Sequence, residues 1–258
     1  DMYTESESGE QINDAVYRRN ALIAEQFNVS FTVTRSTNDN YETDALKSIL
    51  AGEDAYDLVV PHARASFDYA RQKALLDWNT ELPYVDLDKP WWDANARDNL
   101  SIAGNLYAMT GDISFRCLGN TNAMLFNKKL FTDKGIEYPY QAVLDGTWTF
   151  DKFESIVKQG SADLNGDSKY TKEDDSFGYV TNEWIGPIQV LYTGGERIIQ
   201  KDENDLPYLS LYNDNTVNIF GKFFAMIKND NCLVSAWPST DDRDVFVEDR
   251  ALFTDMNF

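Results

Sequence analysis

The sequence has one histidine, His62, and two cysteines, Cys117 and Cys232, in 258 residues. A Ser-His-Asp or Cys-His catalytic system has almost no material to work with. The cysteines form no CxxC pair, so neither a zinc site nor a dithiol redox centre is indicated, and two isolated buried thiols are expected in place of a disulfide. Nowhere does an apolar run approach the ~18–20 residues of a membrane-spanning helix. The first residues, 1–9, are polar and acidic and carry no signal-peptide pattern. The motifs GxSxG and HExxH and the P-loop are missing. Positive charge is scarce, with 23 basic against 43 acidic residues and a net charge of −20. Such a surface repels phosphate backbones and anionic lipid, so nucleic acid is not an expected partner.

What is present suits a folded protein. Hydrophobic residues make up 43% and aromatics 14%, enough for a core. Ile12, Ala15, Val16, Ile23 and Phe27 recur at helical spacing. Val29, Phe31 and Val33 alternate with polar residues and predict a strand over 29–34. A helix carrying Ala45, Leu46, Ile49 and Leu50 stops at Gly52, and 57–60 reads as a buried strand cut by Pro61. A further helix is expected to run to about Leu76, and 105–109 reads as a strand broken at Gly111 and Asp112. A second series follows: strand 123–126, helix 128–134 ended by Gly135, and a helix carrying Phe150, Phe153, Ile156 and Val157 that Thr149 is placed to cap. Val217, Phe220, Phe224 and Ile227 mark another helix, and 251–254 a last strand. Strands alternating with helices predict a parallel α/β sheet.

These pieces, in this order, resemble the extracellular solute-binding proteins of family 1, the maltose-binding type of ABC importer subunit. The likeness rests on residues 46–60 (LKSILAGEDAYDLVV), 104–110 (GNLYAMT), 123–135 (AMLFNKKLFTDKG) and 147–153 (TWTFDKF), with Gly194-Gly195 and Arg250-Ala251-Leu252-Phe253 in further familiar positions. It implies an α/β fold of the periplasmic-binding-protein type (type II), with two lobes joined by a hinge and ligand trapped by lobe closure. The lobes are expected at 1–110 and 115–250, the hinge at 111–114, and a return strand towards a second hinge at 251–258. Family members are longer at both ends, so the fold is expected to be incomplete here, the first strand missing. The resemblance further implies an extracytoplasmic protein, either periplasmic or a lipid-anchored lipoprotein. It would be a monomer that hands a sugar to an ABC transporter permease and catalyses nothing.

Three constellations carry candidate chemistry. In 163–174, oxygen side chains fall at Asp163, Asn165, Asp167, Thr171 and Asp174, with the Lys169 carbonyl at the seventh position; this is EF-hand calcium spacing. Two departures are Ser168 where glycine usually turns the loop and Asp174 where glutamate usually closes it. Calcium as a structural ion is expected, and a solvated acidic turn is the plain alternative. Trp184, beside Glu183, lies where sugar-binding relatives face the cleft, and Trp237 sits in a predicted loop; an indole can stack on the C–H face of a sugar or simply fill a core. Trp91 and Trp92 fit a core better. His62 and Arg64 follow the 57–60 strand, at the strand end where α/β folds bind ligands, and Asp112 sits at the break. Two rival readings stay open: a carbohydrate-active hydrolase with Glu183 and Asp112 as its carboxylate pair, and a calcium-stabilised adhesion or scaffold module.

Overall fold

The computed structural model describes residues 2–35, 40–236 and 242–257. The chain divides into two units, one of Asp1–Gly119 with Lys201–Pro207 and one of Asn120–Gln200 with Tyr208–Phe258.

The first unit is built from helices α1 (Gln11–Phe27), α2 (Tyr41–Ala51), α3 (Ala63–Arg71), α4 (Ala94–Leu100) and α5 (Arg116–Gly119). Glu10 caps α1 by accepting from the amides of Ile12 and Asn13, which satisfies two of the donors a helix start leaves open. Gly52 ends α2 in the left-handed conformation, as its position in the sequence leads one to expect.

Three expected strands of this unit do not form. Residues 29–34, 57–60 and 105–109 lie outside any helix or strand. Val29, Phe31 and Val33 are exposed, and Leu58 and Val60 are 56% and 65% exposed. Alternation describes a face that suits a sheet, but a strand exists only where another backbone completes its hydrogen bonds. Among the described residues these segments pair with no strand. Leu106 shows what replaces the ladder: it is fully buried, its amide donates to Asp77 Oδ1 at 2.9 Å, and its carbonyl accepts from the Trp78 amide at 2.7 Å. The helix expected to reach Leu76 ends at Arg71.

The second unit contains, in order, β1 (Asn122–Phe126), α6 (Lys128–Asp133), α7 (Tyr140–Leu144), α8 (Phe150–Val157), β2 (Phe177–Asn182), α9 (Ile185–Thr193), the short strands β3 (Ile199–Lys201) and β4 (Pro207–Leu209) apart from Lys201 and Pro207, which are counted with the first unit, α10 (Asp214–Ile227), β5 (Cys232–Ser235), α11 (Asp244–Val247) and β6 (Ala251–Asn257). Its main sheet has the order β1-β6-β2-β5. Strand β2 runs parallel to both β5 and β6, and only the edge strand β1 is antiparallel. The parallel sheet read from the sequence is thus a mixed one, a common variant with one antiparallel edge. Strand β2 contributes to two separate layers. Tyr179 joins Phe131, Phe153, Val157, Phe223 and Phe253 in the main core, whereas Val180 packs with Phe177, Val245 and Ala251.

Helix α8 lies flush on β2. A Cβ added at Gly178 would sit 1.8 Å from the Val157 carbonyl oxygen, so no larger residue fits there. No disulfide joins the cysteines. Cys232 is buried, which pushes its thiol up to about 12; Cys117, expected to be buried, is exposed. Trp92 packs edge-on against Trp78, while Trp91, read as a core residue, is 50% exposed.

Candidate ligand-binding site

In open parallel sheets ligands bind beyond the carboxyl ends of the strands. At that end of β2 the chain places Asn182, Glu183 and Trp184 and then enters α9. Trp184 is 62% exposed, so it is no part of the core. The turn beneath it is closely held. Asn182, itself buried, accepts through Oδ1 from the amides of Trp184 at 3.0 Å and Ile185 at 2.6 Å. The Glu183 amide donates to the Ser235 carbonyl at the end of β5, at 3.1 Å. The Glu183 side chain is exposed. An indole with a carboxylate beside it offers an apolar platform flanked by a hydrogen-bond acceptor, the pairing that a polyhydroxylated ligand uses.

Below this turn lies a buried polar pair. Asp255 is 1% exposed and accepts from Thr181 Oγ1 at 2.7 Å and Tyr179 OH at 3.1 Å. Burial raises its carboxyl above the ordinary value, and the two hydroxyl donors oppose that rise. Tyr179 is pushed well above its usual value, first by burial and then by the Asp255 charge. Sequence reasoning missed both Asn182 and Asp255. Their signals were an asparagine just ahead of a helix start and an aspartate within the β6 run of apolar residues.

The remaining candidates divide between the units. His62 caps α3: its Nδ1 accepts from the Arg64 amide at 3.3 Å, and its own amide donates to Glu42 Oε1 at 2.6 Å. Arg64 is exposed in the first turn of that helix. Asp112 is exposed in the turn after the Trp92–Gly111 bridge, its amide donating to the Trp91 carbonyl at 2.8 Å. The structure therefore brings His62 to Arg64 in the first unit and Glu183 to Trp184 in the second. Trp237 lies outside the described residues.

The 163–174 loop coils through its own side chains. Asp163 accepts from the amides of Gly166 and Ser168, Asn165 from Asp167, and Asp167 from Lys169. Ser168 adopts φ 64°, the conformation for which glycine is usual at this position. The carboxylate that closes the loop is Asp175, fully buried, which accepts from the amides of Leu164 and Thr171, each at 2.8 Å; its neighbour Asp174 is exposed. Among the described residues no group of three or more His, Cys, Asp or Glu side chains converges to hold a metal. Thr171 Oγ1 is buried without a hydrogen-bond partner.

No helix among the described residues is long and apolar enough to cross a membrane. No family model and no curated protein sequence matches the chain. Solved structures do. UspC of M. tuberculosis aligns with a TM-score of 0.62 at 14% identity, over 93% of this chain and 59% of that one. An ABC substrate-binding protein of Listeria monocytogenes in complex with cycloalternan aligns with a TM-score of 0.55 at 17% identity, over 93% and 57%. The maltose-maltodextrin binding protein of Alicyclobacillus acidocaldarius aligns with a TM-score of 0.53 at 13% identity, over 93% and 56%. The chain thus spans less than two thirds of the length of each, and at these identities the likeness is one of fold. The chain has the α/β fold of the substrate-binding proteins of ABC transporters.

Proposed function

We propose that this chain captures a mono- or oligosaccharide outside the cytoplasm, as part of a periplasmic or lipid-anchored binding protein, and presents it to an ABC transporter permease by closure about a hinge. One observation carries the reading. Trp184 stands exposed at the carboxyl end of a parallel strand, beside Glu183, in a fold shared with structures solved with cycloalternan or described as binding maltose and maltodextrin. An indole standing in water is free to stack on the apolar C–H face of a sugar, with the neighbouring carboxylate placed to accept from its hydroxyls. His62, Arg64, Asp112 and Trp237 are proposed as further ligand-binding residues. The reading is of binding without turnover.

A structural calcium ion in the 163–174 loop belongs to the same proposal. Asp163, Asn165, Asp167, the Lys169 carbonyl, Thr171 and Asp174 would supply its oxygens. The Thr171 hydroxyl, buried and unbonded, is the group that gains most from a cation.

A thermal-shift screen of sugars, followed by calorimetry on wild type and Trp184→Ala, tests the reading. Loss of the indole is expected to weaken binding by about 1–3 kcal/mol, the scale of burying a large apolar side chain, with the fold intact. Equal affinities retire the site, and release of reducing sugar would turn the reading towards a hydrolase.

A further inference from the structure

Trp184 is exposed, and an exposed indole on a free turn samples many orientations. A ligand that stacks on it must then select one of them, and that ordering lowers affinity. Here the turn is not free. The Asn182 carboxamide oxygen takes two amides at once, those of Trp184 and Ile185, which are two of the donors that the start of α9 leaves open. Trp184 itself supplies no side-chain cap to α9, so Asn182 does that work from the end of β2.

A second contact fixes the same turn from below. A Cβ at Gly186 would lie 2.6 Å from Thr181 Oγ1 and 3.0 Å from Phe223 Cζ. The Thr181 hydroxyl is in turn held by Asp255 at 2.7 Å. The first turn of α9 therefore sits directly on β2, at a height set by the missing side chain at Gly186.

We infer that Asn182 is a positioning residue for the ligand face around Trp184, fixing before ligand arrives the backbone from which the indole projects, with Gly186 setting the height of that face above the sheet. The inference rests on Trp184 being the ligand platform, and it deepens that reading. The ligand it fits is a pyranose ring with an apolar C–H face, because preorientation benefits a flat stacking partner most.

The test uses the full chain labelled with 5-fluorotryptophan, followed by fluorine NMR. The protein has six tryptophans, and Trp184→Phe assigns the signal of interest. In Asn182→Ala the Trp184 resonance is expected to broaden or split, while those of Trp78, Trp91, Trp92 and Trp148 hold still. Asn182→Asp, which keeps an acceptor oxygen, is expected to preserve a single sharp line. An unchanged Trp184 line in Asn182→Ala overturns the inference. If the four reference lines collapse as well, Gly186→Ala decides: a displaced Trp184 line supports the inference, and an unmoved one overturns it. Maltotriose calorimetry separates this from the reading beneath it. Asn182→Ala is expected to bind about three- to tenfold more weakly than wild type, a loss of preorganisation, with Asn182→Asp near wild type. Wild-type affinity in Trp184→Ala retires the platform, whereas an unperturbed indole line in Asn182→Ala retires the positioning role.

Discussion

Thr181 donates its hydroxyl to Asp255 across neighbouring parallel strands, β2 to β6, at 2.7 Å, and both residues are 1% exposed. A carboxylate in such a place loses more hydration than two hydroxyl donors restore, which is why its titration moves upward. The sign of the consequence follows. The folded protein holds this proton more tightly than the unfolded chain, so stability is greatest below the ordinary carboxyl value of 3.8 and falls as pH rises through the folded value. Asp255→Asn removes that slope. The melting temperature of the variant relative to wild type is expected to climb between pH ~4 and neutrality; parallel curves for the two proteins would contradict it.

Asp205 should behave in the opposite sense. It accepts from Lys201 Nζ at 2.7 Å, the Gly104 amide at 3.0 Å and Ser101 Oγ at 3.1 Å. The Lys201 bond first, then the Gly104 amide, hold its carboxyl down at about 2. Its stabilising effect is present above 3.8 and lost as pH falls through about 2. Asp205→Asn is expected to melt below wild type at neutral pH, with the gap closing in acid. A gap independent of pH would show that lost packing, not lost charge, separates the two.

Two glycine substitutions should differ in sign. Gly178→Ala forces a methyl group onto the Val157 carbonyl, which backbone cannot yield, and should cost about 3 kcal/mol or more in urea unfolding. Gly221, inside α10, has nothing within 4 Å of an added Cβ. There alanine should add roughly 0.5–1 kcal/mol by restricting the unfolded chain. Similar effects at the two positions would mean that α8 does not rest on β2 as described.

The calcium proposal is tested by melting with calcium and with chelator. Calcium is expected to raise the melting temperature, as any ligand specific to the folded state does. Asp167→Ala is expected to abolish the difference. Wild-type melting that ignores chelator would leave 163–174 as a turn held by its own side chains.

Local signals in the sequence hold in the structure where they act locally. Thr149 was placed as the cap of α8, and its hydroxyl accepts from the Lys152 amide at 3.2 Å. The spacing of Val217, Phe220, Phe224 and Ile227 gave α10, and the apolar runs at 123–126 and 251–254 gave β1 and most of β6. Part of the proposed site was legible too, because the resemblance places Trp184 at the cleft just ahead of a helix, although the strand β2 that leads to it was not foreseen. Asn182 and Asp255 were not, since an amide or a carboxylate looks the same in sequence whether it meets water or a partner from a distant segment.

The sequence by itself determined helices α1, α2, α6, α8 and α10, the Thr149 cap, the glycine stops after α2 and α6, and apolar runs from which strands can be made, because propensity and capping depend on residues within a turn or two of each other. Tertiary structure alone decided which of those runs became strands. Residues 29–34 alternate well and form none, whereas Tyr179 pairs with Phe253 across a long stretch of intervening chain. It also decided that Asp255 is buried, that Gly178 touches a helix and that Trp184 stays in the open. A ladder, a burial and a close approach each require a second segment, and no local pattern states which segment that will be.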